Sequence, residues 1–219
     1  MVETRTKVTI IDYGLGNVAS VQNALLSLGA DCEISRDYTT LAQSDCLILP
    51  GVGAFGDGID QLAKLDLVEP LTELVVGREK PVLGICLGMQ LMASLGLEHG
   101  KHKGLGWIDG TVKRLEVEEF NLKVPHIGWN DVVANTDSVL LGPKGSSHTF
   151  YFVHGYQIEC ANPGDVSGIC SYGVEFCATI ERNNVFGAQF HPEKSQKAGL
   201  GLLSNFMQAA KRGRHFINA

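Results

Sequence analysis

The sequence has no C-x-x-C pair, no apolar stretch long enough to cross a bilayer, and no low-complexity tract or internal repeat. Its six cysteines, Cys32, Cys46, Cys86, Cys160, Cys170 and Cys177, are scattered over 219 residues, a pattern that favours reduced thiols over a disulfide framework. Positive charge is also short. With 18 Lys and Arg against 24 Asp and Glu, the net charge of −6 argues against nucleic acid or an anionic membrane as the main partner. Met1-Val2-Glu3-Thr4-Arg5-Thr6-Lys7 lacks the apolar centre of a secretory leader. Reduced thiols without a leader lead us to expect a cytoplasmic protein.

Glycine is plentiful instead, with 26 residues set mostly between apolar runs, the punctuation of an α/β chain with many tight strand-to-helix corners. Lys7-Val8-Thr9-Ile10-Ile11-Asp12 reads as a first buried strand, followed by a helix from Asn17 to Leu28. A weaker strand over 31–35, a clear one over 45–50 and helices near 58–65 and 68–76 give a doubly wound start. The corner Gly14-x-Gly16-x-x-Ala19 has the spacing of a dinucleotide fingerprint, but the match is short and a plain tight turn explains it as well. Past Trp107 the segments shorten and alternate, at 110–117, 122–125, 132–133 and 139–141. One long strand then covers 149–158, and a hairpin over 176–190 turns at Asn183-Asn184. The second half therefore reads as an antiparallel extension of a mixed sheet, and an amphipathic helix over 195–211 closes the chain. His99 and His102 share a polar loop without a Cys or carboxylate constellation, so no metal site is expected.

The stretch Pro81-Val82-Leu83-Gly84-Ile85-Cys86-Leu87-Gly88-Met89-Gln90 begins as a buried strand and continues as a helix predicted over 87–95. Cys86 stands between Gly84 and Gly88 in the manner of a nucleophile elbow, where glycines remove the Cβ atoms that a sharp turn would bring into collision. A buried structural cysteine would look the same from this stretch alone. Distant segments favour the elbow. Phe190-His191-Pro192-Glu193 offers a base and an orienting carboxylate, the partners a thiol nucleophile requires. Gly51-Val52-Gly53, just past a strand, offers backbone N–H groups for an oxyanion.

On these residues, Gly84-Ile85-Cys86-Leu87-Gly88-Met89-Gln90 with Phe190-His191-Pro192-Glu193, the chain resembles the class I (triad) glutamine amidotransferases over nearly its whole length. More narrowly, Asp12-Tyr13-Gly14-Leu15-Gly16-Asn17, Pro50-Gly51-Val52-Gly53-Ala54-Phe55-Gly56, His126-Ile127-Gly128-Trp129-Asn130, Tyr151-Phe152-Val153-His154 and His191-Pro192-Glu193-Lys194-Ser195-Gln196 resemble the glutaminase subunits of imidazole glycerol phosphate synthases. The resemblance implies one amidotransferase domain over 1–219, with a mainly parallel central sheet flanked by helices and an antiparallel extension. It implies glutamine hydrolysis through a Cys86 thioester, with His191 as base and Glu193 as its orienter, the oxyanion held by N–H groups of Leu87 and the Gly51–Gly53 turn, and no cofactor. It also implies glutamine contacts from Gln90, Glu98 and the backbone of Tyr151, Phe152, Val153 and His154. The ammonia would pass to a separate β/α-barrel synthase subunit in a heterodimer for histidine biosynthesis, because this length leaves no room for a synthase domain. Trp129, Asn130 and Lys194 are the implied interface residues, although Trp129 suits a core equally well. Glutaminases serving anthranilate or pyridoxal phosphate synthesis share the triad but should lack His126-Ile127-Gly128-Trp129-Asn130. One departure is Gly155, where the family more often has a small hydroxyl residue.

Overall fold

Apolar runs too short for helices and flanked by glycine corners become the parallel half of a nine-stranded sheet in the computed structural model, which describes residues 5–217 and side chains through residue 212. In chain order the elements are β1 (Lys7–Ile11), α1 (Val18–Ser27), β2 (Asp31–Ser35), α2 (Tyr38–Gln43), β3 (Cys46–Gly51), α3 (Phe55–Lys64) and α4 (Val68–Thr72). Helix α4 runs into a π turn (Glu73–Gly77), followed by β4 (Val82–Cys86), α5 (Leu87–Leu91), β5 (Ala93–Gly96), β6 (His102–Lys103) and β7 (Ile108–Arg114). Then come β8 (His126–Ala134), β9 (Ser147–His154), β10 (Tyr156–Cys160), β11 (Val166–Tyr172), β12 (Val174–Arg182), β13 (Val185–Ala188) and α6 (Gln196–Ile217).

The large sheet has the order β2-β1-β3-β4-β13-β12-β11-β8-β9, parallel from β2 to β13 and antiparallel from β13 to β9. This is the mixed, mainly parallel sheet with an antiparallel extension that the sequence implied. A second sheet of four strands, β10-β7-β5-β6, lies beside it. The core falls into two apolar clusters, one holding Ile10, Ile48, Phe152, Phe190 and Phe206 and the other Leu49, Phe55, Leu87, Met89 and Ile180. Among the described residues no helix is long and apolar enough to cross a membrane. The leader reading rested partly on Met1 to Thr4, which lie outside the described residues, as does the C-terminal end of the expected domain.

Several expectations need correction, and one helix was not foreseen. The elbow helix stops at Leu91, because residues 93–96 pair with β7 (Ala93 with Ile108, Leu95 with Thr111); sheet pairing overrides helix propensity there. The long strand over 149–158 is two strands in two sheets, β9 and β10, parted at Gly155. Residues 122–125 form no strand and 139–141 are a turn, where the Glu181 carboxylate accepts the N–H groups of Val139 (2.8 Å) and Leu140 (3.0 Å). Helix α2 was missed, although Asp37 is an N-cap that accepts the Thr40 N–H at 3.0 Å.

Candidate active site

Strand register brings the distant motifs together. Gly51 at the end of β3 stands opposite Cys86 at the end of β4, and Ala188 of β13 pairs with Ile85 on the other side. The glycine turn, the cysteine and the Gln189–Glu193 segment thus leave three adjacent parallel strands at their carboxyl ends, where open α/β sheets place their ligand crevices. A cavity of about 180 Å³ opens there, lined by Val52, Gly53, Cys86, Leu87, Gln90, Glu98, Val153, His154 and His191, with Pro125, Gly155 and Tyr156.

Cys86 has φ +54° and ψ −110°, a conformation L-residues avoid, and it caps α5. Both flanking glycines are sterically required. A Cβ on Gly88 would overlap the Leu49 carbonyl oxygen, and one on Gly84 would come within 2.6 Å of the Met89 nitrogen. At five residues α5 carries little macrodipole, so the surroundings of the sulfur are set by neighbouring side chains and carbonyls instead. The thiol points at the Val153 carbonyl (3.9 Å) and accepts from the Gln189 amide (3.8 Å).

His191 and Glu193 are almost completely buried side chains, joined by a 2.9 Å contact between Nδ1 and Oε1. That contact fixes the tautomer and leaves Nε2, which has no hydrogen bond of normal geometry at rest, as the atom for the sulfur. Burial lowers the ring's pKa, but hydrogen bonding to Cys86 and then to Glu193, with their charges, outweighs it and raises the pKa to about 9. An imidazole set between a carboxylate and a sulfur is the arrangement that lets the sulfur attack and the ring deliver the proton to a leaving group.

Other candidates divide. Gln90 and Glu98 line the cavity. The Gln90 amide nitrogen is committed to the Tyr156 carbonyl (2.9 Å) and Gln189 Oε1 (3.0 Å). Glu98 accepts the Phe55 N–H at 2.7 Å, which ties its loop to the start of α3. Val153 and His154 line the cavity, but Tyr151 and Phe152 are not among its lining residues. Phe152 is buried in the core, with its ring edge-on to Phe190 at 5.5 Å. Tyr151 acts through its backbone: its carbonyl accepts the His191 N–H (2.9 Å) and its N–H donates to Ser195 Oγ (3.0 Å), clamping the turn that carries His191. Trp129 is 49% exposed on β8, edge-on to Tyr151, and Lys194 is exposed on the clamped turn, while Asn130 is half-buried. Sequence reasoning missed Gln189, although it lies only two residues before His191 on the stretch that leaves β13.

Buried His126 and His154 move the opposite way from His191, each lowered by burial to about 4. Relative to an unfolded histidine at 6.5, the His191 contribution to stability is complete below pH 6.5 and lost as pH rises through about 9. The contribution of the other two is complete above pH 6.5 and lost as pH falls through about 4. Melting temperature against pH should therefore form a dome, and Cys86→Ala should flatten only its alkaline limb. Superimposable alkaline limbs would contradict the Cys86–His191 coupling.

Residues 9–210 match the family model described as glutamine amidotransferase class-I. The chain is 45% identical to "Imidazole glycerol phosphate synthase subunit HisH" of Rhodopirellula baltica over 92% of this chain and 97% of that one. It is likewise 45% identical to "Imidazole glycerol phosphate synthase subunit HisH 2" of Pseudomonas aeruginosa over 92% and 98%. In fold it is similar to a putative GMP synthase component of Thermoplasma acidophilum, with a TM-score of 0.74 at 20% identity, covering 99% of this chain and 100% of that one.

Proposed function

The chain belongs to the class I glutamine amidotransferase family, and from that membership we propose that it is the glutaminase subunit of an imidazole glycerol phosphate synthase, a single cytoplasmic domain spanning 1–219. The Cys86 sulfur attacks the side-chain carbonyl carbon of glutamine, and its proton passes to His191 Nε2. The tetrahedral oxyanion is held by backbone N–H groups of Leu87 and the Gly51-Val52-Gly53 turn. His191 returns the proton to the departing nitrogen, releasing ammonia and leaving a γ-glutamyl thioester on Cys86. It then takes a proton from water, whose oxygen attacks the thioester to give glutamate and the free thiol. Glu193 keeps the ring in the Nδ1–H form throughout, and Gln90, Glu98 and the backbone at Val153 and His154 hold the amino acid.

The observation that carries the chemistry is His191 held between Glu193 and the Cys86 sulfur at the mouth of a cavity. The choice of synthase is supported by the two relatives named above. Ammonia then goes to a β/α-barrel synthase partner, which uses it to form the imidazole ring of histidine biosynthesis. Trp129, Asn130 and Lys194 form the docking surface, contiguous through Tyr151 with the turn that holds His191. Trp129→Ala should weaken association at least about tenfold without lowering stability, as loss of an exposed aromatic anchor does; calorimetric titration with the barrel subunit checks it. The experiment that tests the function is to mix the chain with candidate barrel subunits and their ligands and follow glutamate release. We expect low hydrolysis alone and strong stimulation by the imidazole glycerol phosphate synthase barrel. Stimulation instead by an anthranilate or pyridoxal phosphate synthase partner would overturn the assignment.

A further inference from the structure

Beside the triad lies a second polar system that the hydrolytic mechanism does not use. His126 and His154, both buried, face each other on paired strands β8 and β9, Nδ1 of the first 3.1 Å from Nε2 of the second. The direction of that bond follows from its neighbours. The Asn130 side chain is oriented twice over: its Oδ1 accepts the Asp131 N–H at 2.8 Å, and its Nδ2 donates to the Ser171 carbonyl at 2.9 Å. The nitrogen it turns to His126 Nε2, at 3.4 Å, is therefore a donor, and His126 Nε2 must carry a lone pair. A neutral His126 then holds its proton on Nδ1 and donates to His154. From the other end, His154 Nδ1 lies 2.9 Å from the Tyr156 carbonyl, which can only accept, so His154 also carries its proton on Nδ1. Both ends demand one arrangement, with two neutral rings in the Nδ1–H form.

The same Tyr156 carbonyl also accepts from Gln90, whose second amide hydrogen goes to Gln189 Oε1, and the Gln189 amide nitrogen donates to the Cys86 sulfur. We propose that Asn130, His126, His154, Gln90 and Gln189 form a hydrogen-bond chain of fixed polarity, converging on the Tyr156 carbonyl, that delivers a donor to the Cys86 sulfur and holds it for reaction. Gln189 contacts the reacting atom. His126 and His154 are positioning residues that act through Tyr156, and the low pKa of both rings keeps the arrangement neutral. A donor aimed at the sulfur holds it in the rotamer that faces the cavity, from which its proton passes to His191. The outer end, Asn130, lies on the surface assigned above to the partner. Only the functional arm of this inference rests on the glutaminase reading.

The test has two arms on the full chain. Nitrogen NMR of the 15N-histidine-labelled protein at pH 7 should show His126 and His154 neutral and protonated at Nδ1, with a scalar coupling across their shared hydrogen bond. Loss of one signal in His126→Phe assigns the pair, because phenylalanine preserves stacking on Tyr172 and Phe152. Either ring found as Nε2–H, or charged, overturns the chain whatever the enzyme does. In the second arm, Gln189→Met keeps the length but removes the donor. Iodoacetamide should then alkylate Cys86 about five- to tenfold more slowly at pH 7, and kcat should fall with little change in KM for glutamine. His126→Phe should give a smaller change of the same sign. An unchanged alkylation rate in Gln189→Met overturns the proposal, and if that variant fails to fold, the wild-type spectrum decides alone. Correct tautomers in a chain that never hydrolyses glutamine would sink the glutaminase reading and leave the hydrogen-bond chain standing.

Discussion

Cys86→Ala is expected to lower glutamine hydrolysis by on the order of 10⁴-fold or more while leaving affinity for the proposed barrel subunit unchanged, because groups that act as one catalytic unit fail together when the nucleophile goes. A buried structural cysteine would behave otherwise. Its loss would remove one small side chain from the core, lower stability modestly and leave turnover near wild type. The backbone adds a second discriminator. Cys86 holds φ +54°, which a Cβ makes costly, so Cys86→Gly should be more stable than Cys86→Ala by about 1 kcal/mol and equally inactive. Strain retained at a position that gains nothing structurally from cysteine is consistent with a residue kept for its sulfur. Steady-state glutamate release with saturating partner, alongside thermal melts of both variants, checks each part.

The second large effect falls on the elbow's frame. Gly88→Ala should destabilise the protein by more than about 3 kcal/mol or prevent folding, since its Cβ would overlap the Leu49 carbonyl and neither β3 nor β4 can move within a nine-stranded sheet. Gly201→Ala is the matched control. It lies in α6 with nothing within 4 Å of the added carbon, and should stabilise by about 0.5–1 kcal/mol through the glycine-to-alanine helix preference. Denaturant unfolding of the two variants measures the contrast, and equal midpoints would show that the close approach at Gly88 is not a constraint.

The parallel half of the fold was legible because its strands are continuous apolar runs cut by glycine, and that pattern has little else it can become. Cys86, His191 and Glu193 were legible for a related reason: the glycines and the proline around them constrain the backbone so tightly that residue type reveals position. The antiparallel half was harder. Residues 93–96 carry good helix formers yet pair with β7, and 149–158 looks like one strand although Gly155 divides it between two sheets. Both outcomes depend on partners far along the chain that local pattern does not contain. Tyr151 and Phe152 show a related limit, because the resemblance implied a backbone contact over four residues and only the strand end, Val153 and His154, reaches the cavity. Gln189, His126 and His154 escaped notice as a group because buried polar side chains so far apart along the chain leave no periodic trace.

The central claim is that one sulfur, Cys86, reacts with glutamine. A glutamine analogue bearing an electrophilic side chain, incubated with the chain and the proposed barrel partner and followed by peptide mapping, tests it most directly. Stoichiometric label on Cys86 alone, prevented by excess glutamine and by Cys86→Ala, is the predicted result. Label on Cys46, Cys177 or another of the six cysteines, with Cys86 left free while hydrolysis is lost, would contradict it.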